Sequence, residues 1–417
     1  MKEIPLAAPS LGAAEVKAAT EAILSGWVTQ GPRVQAFEEA FANAVGARHA
    51  CAVSSCTAAL HLALLAVGVR PGDVVLTASH SFIATANAVR HCGAEPVFVD
   101  VDPRTLNLDG VALRRSLRDD FESRDGALWY RNVGTLTSPH SPLRDCSGPL
   151  GRLAAIQIVH QVGMPANLEP LLALAQDHAI PVVEDAACAI GSEIMMKGLW
   201  ERIGKPHGQV ACFSFHPRKV ITTGDGGMLT TSDASLDQTF RMLRHHGMAL
   251  SDYSRHKAET VIFEKYLVTG FNYRMTDIQA AIGIEQLRRL EELIAERRQL
   301  ASAYREHLAA IPGVEPPVEP EYARTNWQSY VIRLKGDKDQ KLVMDGLKSR
   351  GISTRRGVMC AHLEPPYADA WPKGVLPNSE LLQDRGLILP LYPGMSEREI
   401  ARVAEALKEV LTATART

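Results

Sequence analysis

Seven short apolar runs alternate with helix-like segments through the first two-thirds of this 417-residue chain. Several of the runs are continuously apolar, which is typical of strands covered on both faces. In chain order the runs are HACAVSS (49–55), VVLTAS (74–79), PVFVDVD (96–102), AAIQIVH (154–160), PVVEDAA (181–187), VACFSF (210–215) and GGMLTTS (226–232). The helical patterns between them lie at 13–25, 56–67, 82–92 and 168–179. This alternation predicts an α/β fold with a mostly parallel, seven-stranded sheet flanked by helices.

The pattern changes after the seventh run. A long, charged amphipathic segment covers 276–310, a proline-rich connection covers 312–323, and a last helical pattern covers 396–411. We therefore expect a large α/β domain over residues 1–275 and a smaller C-terminal α+β domain over residues 276–417.

One segment interrupts the alternation inside the predicted large domain. Residues 113–152 are polar and rich in Gly, Pro and Ser. A connection of this length in a compact domain is usually a functional excursion or a partly mobile insertion. The sequence leaves open whether it acts as a lid, a subunit contact or a mobile loop.

Charge and composition exclude several classes of protein. The formal net charge is −2, and no Lys- or Arg-rich block is long enough to follow a nucleic-acid backbone. The longest apolar runs, such as 60–69, are too short to span a membrane, and the N-terminus lacks the apolar core of a signal peptide. The seven cysteines show neither paired nor His/Cys spacing, so we expect reduced thiols, no metal site and a cytoplasmic protein.

A single lysine, Lys219, stands in the stretch FSFHPRKVITTGDGG (213–227). Because it closely follows the run 210–215, we expect it at the carboxyl end of a strand, where open α/β sheets bind their ligands. Apolar surroundings lower the pKa of a lysine, and the free amine can then attack a carbonyl to form a Schiff base. Taken alone, Lys219 is also compatible with an ordinary surface lysine.

Three further features complete a pattern with Lys219. Asp185 ends a buried-type run and would either pair with a protonated ring nitrogen or cap the next helix. The segment VSSCTAALHLAL (53–64) opens a helix with small residues, whose free amides suit either a phosphate or a simple cap. Phe82 would lie on a planar ring or pack into the core. Together these groups match what pyridoxal 5'-phosphate (PLP) requires of a protein.

Motifs along nearly the whole chain resemble one family. They are WVTQGPRVQAFEEAFA (27–42), SSCTAALHLAL (54–64), VFVDVD (97–102), VVEDAACAIG (182–191), FSFHPRKVITTGDGG (213–227), GFNYRMTDIQAAIG (270–283) and LPLYPGMSE (389–397). Through them the chain resembles the DegT/DnrJ/EryC1/StrS sugar aminotransferases, which have the fold-type I architecture of aspartate aminotransferase.

The resemblance implies catalytic roles for residues at the matching positions. Lys219 would form the Schiff base with PLP and later move the proton between substrate and cofactor. Asp185 would pair with the pyridine nitrogen, and Phe82 would stack on the ring.

The resemblance also implies how the phosphate is held. The backbone amide of Cys56, together with Thr57 and Ser214, would bind the phosphate. Asn272 would reach the phosphate of the neighbouring subunit's cofactor, which implies a homodimer with shared active sites. Arg274 would either order the loop of Asn272 or form a simple salt bridge.

The chain departs from the family pattern at two cysteines. Cys188 stands near the expected phenolic oxygen of the cofactor, where the family usually has Gln or another hydrogen-bonding residue. A thiol is a weak donor, so the cofactor's electronics or the substrate pocket would differ. Cys56 replaces the usual glycine before Thr57 and would crowd the phosphate turn slightly.

Candidate substrate contacts come from two places. The segment TRRGVMCAHLEPPY (354–367) offers Arg355, Arg356 and His362, and arginine pairs well with the carboxylate of a donor or with a nucleotide diphosphate. His160, in HQVG, is either a packed residue behind the site or a substrate contact.

The resemblance implies a PLP-dependent aminotransferase with a ping-pong mechanism. Glutamate or glutamine would be the donor, and a keto-sugar, nucleotide-linked in our interpretation, would be the acceptor. The alternatives are a PLP-dependent sugar dehydratase, whose relatives replace the lysine, an aminotransferase for a cyclitol or another non-nucleotide ketone, and a non-catalytic regulatory relative. The presence of Lys219, Asp185 and Ser214 argues against the regulatory relative. A nicotinamide enzyme would need a GxGxxG turn after the first strand, which the sequence lacks.

Overall fold

The computed structural model describes residues 3–248 and 263–414. In chain order the strands of this part are β1 (His49–Val53), β2 (Val74–Ala78), β3 (Glu95–Val99), β4 (Phe121–Arg124), β5 (Ala127–Tyr130), β6 (Leu153–Val159), β7 (Val182–Asp185), β8 (Glu193–Met196), β9 (Leu199–Arg202), β10 (Val210–Ser214), β11 (Gly227–Thr231), β12 (Val314–Glu315), β13 (Ala323–Arg324), β14 (Tyr330–Leu334), β15 (Arg355–Arg356) and β16 (Gly386–Leu389). The helices are α1 (Ala13–Leu24), α2 (Pro32–Val45), α3 (Cys56–Ala66), α4 (Ala84–His91), α5 (Gly110–Asp119), α6 (Leu168–Asp177), α7 (Ala234–Leu243), α8 (Asp277–Arg288), α9 (Leu290–Leu308), α10 (Gln340–Lys348), α11 (Pro365–Ala368), α12 (Pro377–Arg385) and α13 (Glu397–Thr414).

All seven predicted strands form one sheet, in the order β1, β11, β10, β7, β6, β2, β3. The pairs from β10 to β3 are parallel, and β11 runs antiparallel to both of its neighbours. Strands such as β2 and β6 are buried along their whole length, as continuously apolar strands between helix layers should be. The mixed α/β fold with a mostly parallel sheet is therefore confirmed.

Helix boundaries follow local signals in the sequence. Ser55 caps α3, since its Oγ accepts a hydrogen bond from the N–H of Ala58 at 3.1 Å. Thr276 and Gln279 form a reciprocal capping box at the start of α8. Gly46 ends α2 with a left-handed φ of 77°, which glycine adopts without steric cost.

Strand β10 shows how the core orients one side of the site. Its Phe213 and the following Phe215 are buried against Phe41, with ring centroids 5.0 Å and 5.6 Å away. Because side chains alternate along extended backbone, Ser214 between them points to the opposite face and stays partly accessible. Packing of the two aromatic rings thus turns the hydroxyl of Ser214 toward the cleft described below.

The predicted single helix over 276–310 is wrong in one respect. The structure has two helices, α8 and α9, which meet at Arg289 with φ −97° and ψ 3°. Helix α8 packs on α1 and α2, whereas the later part of α9 contributes Leu300 and Tyr304 to a second apolar cluster. Because the chain changes direction at Arg289, the apolar face of α8 packs on the large α/β part, whereas the later part of α9 packs in the second apolar cluster.

The second apolar cluster belongs to the C-terminal part of the chain. It is built around the sheet β12, β14, β16, β15 and the helices α10 and α13, and Ile4 also joins it. The division into domains at 1–275 and 276–417 stays a prediction; these ranges include residues 1, 2, 249–262 and 415–417, which lie outside the described residues.

The segment 113–152 is not a featureless loop. It contains the end of α5, the hairpin of β4 and β5, and two short 3₁₀ turns at Val133–Leu136 and Pro142–Asp145. Widely spaced apolar side chains, including Phe121, Leu136 and Leu143, anchor it in the main core. Tyr130 donates its N–H to the carbonyl of Gly151, just before β6, so the hairpin lies at the amino-terminal edge of the sheet.

Among the described residues, no helix combines the length and the apolar character that a membrane crossing requires. The cytoplasmic location proposed from the sequence stays a prediction.

Candidate active site

A cleft of about 350 Å³ opens at the carboxyl-terminal edge of the large sheet. The last residues of three neighbouring strands line it, namely Val159 of β6, Asp185 of β7 and Ser214 of β10. Residues of the C-terminal sheet, including Arg355 and Leu389, close the opposite side. The position at the ends of parallel strands is the one where α/β sheets bind their ligands.

Lys219 lies in the cleft, half-buried, on the loop that follows β10. Its N–H donates to the carbonyl of His216 at 2.8 Å, and its Nζ donates to the Sγ of Cys188 at 3.0 Å. Burial by itself lowers the pKa of Lys219, but the nearby Cys188, Cys56 and Asp185 raise it more, so the pKa lies above its ordinary value. The lowered pKa expected from apolar surroundings alone is therefore wrong, because polar neighbours outweigh burial.

Asp185 forms the floor of the cleft and is 4% exposed. Its Oδ2 accepts a hydrogen bond from Thr85 Oγ1 at 2.8 Å, and its Oδ1 accepts one from the N–H of Ala187 at 3.2 Å. The hydroxyl proton of Thr85 is used in its bond to Asp185. The 2.7 Å contact between Ser81 Oγ and Thr85 Oγ1 is therefore a hydrogen bond that Ser81 donates. Burial raises the pKa of Asp185 despite these bonds, so the carboxylate would be stabilised by a cationic partner.

His160 belongs to the lining of the cleft and its side chain is fully buried. Its Nδ1 accepts a hydrogen bond from the N–H of Ala166 at 3.0 Å, so its Nε2 carries the proton and donates to Glu184 at 3.0 Å. The other carboxylate oxygen of Glu184 accepts the N–H groups of His207 and Gly208. With both ring nitrogens engaged, His160 is placed to support the strand ends rather than to contact a substrate.

The amino terminus of α3 faces the cleft through Cys56 and Thr57. The first N–H groups of a helix have no partner within the helix and favour an anion. Gly227 makes this approach possible, because a Cβ on it would lie 2.5 Å from the carbonyl carbon of Ser55 and 2.7 Å from the N of Cys56. The last glycine of the GDGG turn therefore lets β11 pass directly against the helix start.

Phe82 and Cys188 also line the cleft. The side chain of Phe82 is 56% exposed, so its ring is available to a ligand instead of packing into the core. Cys188 is partly exposed, and Asn326 fixes its backbone by donating from Nδ2 to its carbonyl at 2.8 Å.

Three of the four predicted substrate contacts, Arg355, Arg356 and His160, line the cleft, and His362 does not. Arg355 and Arg356 are exposed residues at the mouth. His362 is fully buried: its Nδ1 contacts Ser79 Oγ at 2.6 Å, and its Nε2 contacts Glu380 at 3.2 Å. The structure does not bring His362 to the cleft: its Nδ1 joins the C-terminal part to the end of β2, and its Nε2 contacts Glu380 within the C-terminal part.

Asn272 is an exposed residue that does not line the cleft of its own chain within the described residues. It forms an isolated antiparallel bridge with His245. Arg274 contacts the Nδ1 of the same histidine through Nη1 at 2.6 Å, which ties it to the bridge partner of Asn272; within residues 3–248 and 263–414 it forms no salt bridge.

Sequence reasoning missed Thr85, Arg218 and Gln328, which all line the cleft. Thr85 follows Ser81 by one helical turn, and this spacing was the available signal. Arg218 immediately precedes the lysine, and its carbonyl accepts a bond from Gln328 Nε2 at 2.9 Å. No local pattern reveals Gln328, which lies 110 positions further along the chain.

These residues fit PLP. The amine of Lys219 lies in the same cleft as the buried carboxylate of Asp185, and the helix start with Thr57 and Ser214 can receive a phosphate. The raised pKa of Asp185 is the property expected of a carboxylate that awaits a protonated ring nitrogen. No group of three or more His, Cys, Asp or Glu side chains suited to a metal occurs among the described residues.

The sheet order and the lysine at its carboxyl edge define a fold-type I aminotransferase. The sequence profile of the DegT/DnrJ/EryC1/StrS aminotransferase family matches residues 9–127 and 142–408, and the chain belongs to this family. The profile leaves residues 128–141 unmatched, and these lie within the predicted insertion 113–152.

Individual relatives agree with this assignment. The chain is 34% identical over 414 residues to the spore coat polysaccharide biosynthesis protein SpsC of Bacillus subtilis, covering 98% of this chain and 97% of SpsC. Among solved structures it is similar to the aminotransferase TlmJ from Streptoalloteichus hindustanus, with 31% identity, a TM-score of 0.81 and coverage of 99% and 100%. It is also similar to DesV of S. venezuelae, solved in complex with a ketimine intermediate, with 30% identity, a TM-score of 0.81 and coverage of 98% of both chains. The protein is thus a transaminase of a sugar aminotransferase family, and PLP is its expected cofactor.

Proposed function

We propose that this transaminase moves an amino group from glutamate or glutamine to the keto group of a nucleotide-linked sugar, by a ping-pong mechanism with PLP. The observation that carries the proposal is the convergence of Lys219 and Asp185 on one cleft, beside the start of α3. A sugar dehydratase is disfavoured because those relatives replace the lysine that this chain retains.

Each group of the chain has a distinct task in this proposal. PLP, when bound, supplies an electron sink that stabilises negative charge at the substrate carbon. Lys219 Nζ would hold the cofactor and would move a proton at the substrate carbon. Asp185 would pair with a protonated ring nitrogen, and Thr85 and the N–H of Ala187 orient its carboxylate.

Other residues that line the cleft would supply the remaining contacts to the cofactor. The amide of Cys56, Thr57 and Ser214 would bind the phosphate, and Phe82 would cover the ring. Cys188 would lie near the phenolic oxygen, within reach of Lys219.

We further propose a homodimer in which Asn272 completes the partner's phosphate site. Asn272 is exposed and does not line the described cleft, which is compatible with a contact made to a second chain. Large apolar side chains near this loop, including Tyr266 and Leu267, are more than 60% exposed and would be covered in such a dimer.

Stoichiometry tests the ping-pong mechanism. We expect the PLP-loaded protein, given glutamate without acceptor, to release about one equivalent of 2-oxo acid per site and then stop. Adding a nucleotide-linked keto-sugar should restart the release. Continued release without acceptor, or no release with either donor, would contradict the proposal.

A panel of acceptors tests the substrate class. The same keto-sugar with and without its nucleotide, and a keto-cyclitol, should be compared at equal concentration. Higher kcat/KM for the nucleotide-linked form is expected, and equal rates for all three would remove the nucleotide from the proposal.

A further inference from the structure

Gln161 is a polar side chain of the cleft that the proposed transfer does not use. It comes two residues after the end of β6, lines the cleft and is 5% exposed. Its Nε2 donates a hydrogen bond to the backbone carbonyl of His80, just after β2. A carbonyl oxygen can only accept, so this bond fixes which end of the Gln161 amide is nitrogen and which is oxygen.

The backbone on both sides of this bond is also held in place. The N–H of Gln161 donates to Oδ1 of Asn107 at 2.8 Å, and Nδ2 of Asn107 donates to two backbone carbonyls of the same turn. His80 forms an isolated antiparallel bridge with Cys360 of the C-terminal part. The side chain of Gln161 is therefore already ordered, and a ligand that binds to it does not have to immobilise it.

The turn that follows Gln161 is strained. Val162 has a φ of 53°, in the left-handed region that a β-branched residue rarely adopts. Gly163 follows with a φ of 97°, and a Cβ on it would lie 2.0 Å from Oδ1 of Asn326. Residues held in such conformations reduce stability and cluster at functional sites. The strain is an independent sign that the placement of Gln161 serves the cleft.

The amide oxygen of Gln161 accepts no hydrogen bond from the part of the chain that the structure describes. It is not enclosed in the interior either, in contrast to Oε1 of Gln157 on β6, which is buried without a partner among the same residues. A fixed, accepting oxygen in a ligand cleft favours a ligand that brings a donor. The hydroxyl groups of a sugar are donors, whereas the carboxylates of glutamate only accept.

We infer that Gln161 is a specificity-determining residue whose Oε1 accepts a hydrogen bond from a hydroxyl group of the acceptor. A site built for such a bond rejects an analogue that lacks the hydroxyl group, because the amide oxygen then loses water without gaining a partner. Gln161 has no part in proton transfer or in the half-reaction with the donor. This inference rests on the proposed function and names a contact that would select its acceptor.

Removing the oxygen and the hydroxyl group separately and together tests the inference. Gln161→Leu removes the amide, and a set of keto-acceptors that each lack one hydroxyl group removes the partner. With wild type, one deoxy acceptor should have a kcat/KM about tenfold below that of its parent. In Gln161→Leu the kcat/KM of the parent should fall by a similar factor, and that deoxy acceptor should show no further loss.

Two further measurements separate recognition from folding. Release of 2-oxo acid from glutamate by PLP-loaded Gln161→Leu should keep the wild-type rate. Gln161→Met, which keeps the unbranched length of glutamine, takes its place in the comparison if Gln161→Leu does not fold. Gln340→Leu is the matched control, because Gln340 Nε2 also donates to backbone carbonyls but does not line the described cleft. It should leave the ratio between parent and deoxy acceptors unchanged.

The outcomes distinguish this inference from the proposed function. If every deoxy acceptor loses the same factor in the variant as in wild type, the oxygen contacts none of these hydroxyl groups and the inference is overturned. It is also overturned if both variants lose the half-reaction with glutamate, since Gln161 then supports the site as a whole. The comparison uses any hydroxylated acceptor that wild type aminates, so it stands even if the nucleotide proves unnecessary.

Discussion

Lys219 donates a hydrogen bond from Nζ to the Sγ of Cys188 at 3.0 Å. The two residues come from different loops, one after β10 and one after β7, and meet only because these strands are neighbours in the sheet. The pair joins the proposed Schiff-base lysine to the cysteine that is proposed to lie near the cofactor's phenolic oxygen. Cys188, together with Cys56 and Asp185, raises the pKa of Lys219 against the effect of burial.

Replacing Cys188 by Ala should lower the pKa of Lys219. Burial already lowers this pKa, and Cys188 is the largest of the groups that raise it. After the cofactor is removed, the variant should therefore bind PLP faster than wild type at any pH below the titration midpoint of Lys219, because a larger fraction of its amine is uncharged. The measurement is the loading rate against pH, with Cys146→Ala, at a thiol outside the cleft, as control. An unchanged midpoint in Cys188→Ala would show that the thiol does not act on the amine.

Gly227→Ala should destabilise the protein and weaken PLP binding. The new Cβ would lie 2.5 Å from the backbone of Ser55, which cannot move without displacing the start of α3. We expect a loss of about 1–3 kcal/mol in the free energy of unfolding, as for other overpacked sites. Urea denaturation and PLP titration measure the two effects. Gly134→Ala, where a Cβ meets nothing within 4 Å, should be nearly neutral, and equal behaviour of the two variants would refute the steric explanation.

Ionisation of Glu184 should make the free energy of unfolding depend on pH in the acid range. Burial raises its pKa, but His160, His207 and the N–H of Gly208 lower it more, so the pKa lies below its ordinary value. A carboxyl group whose pKa is depressed on folding stabilises above its unfolded pKa, and this contribution is lost as the pH falls through the folded value.

Glu184→Gln should accordingly cost about 1–3 kcal/mol at pH 7, since an amide cannot accept all three bonds. The difference from wild type should shrink toward pH 4 in urea denaturation. Glu39→Gln, at an exposed carboxylate, is the control. A difference that stays constant over this range would mean that the charge of Glu184 contributes nothing.

Mixing two inactive variants tests the shared site. If Asn272 serves the partner's cleft, Lys219→Ala and Asn272→Ala subunits should form mixed dimers with one intact site and regain activity. If Asn272 acts within its own chain, every site in the mixture keeps a defect and no activity returns. Denaturing and refolding the two variants together, compared with each alone, distinguishes the two cases.

The sheet was predictable because its signals are local. Strands buried on both faces read as apolar runs, and each of the seven runs lies in the sheet. The segment 113–152 was misread because its anchors, such as Phe121 and Leu143, are widely spaced among polar residues. The break at Arg289 was hidden because both helices continue the same amphipathic pattern and differ only in the core that they contact.

The site was predictable where residues follow strand ends and not where distant segments meet. Lys219 and Asp185 lie at the carboxyl ends of strands, so their positions could be inferred from the runs before them. The burial of His362 depends on Ser79, which is 283 positions away, and no pattern near His362 indicates it. That Arg218 and Arg355 line the same cleft likewise depends on how the C-terminal sheet packs over it.

An absorbance spectrum of the PLP-loaded protein, taken before and after glutamate is added without acceptor, tests the central claim most directly. We predict a visible band from the cofactor held on Lys219, which glutamate replaces with the near-ultraviolet band of the aminated cofactor. Lys219→Ala should show neither the lysine-dependent band nor the conversion. Absence of the visible band in reconstituted wild type, or an unchanged spectrum with both glutamate and glutamine, would contradict the account.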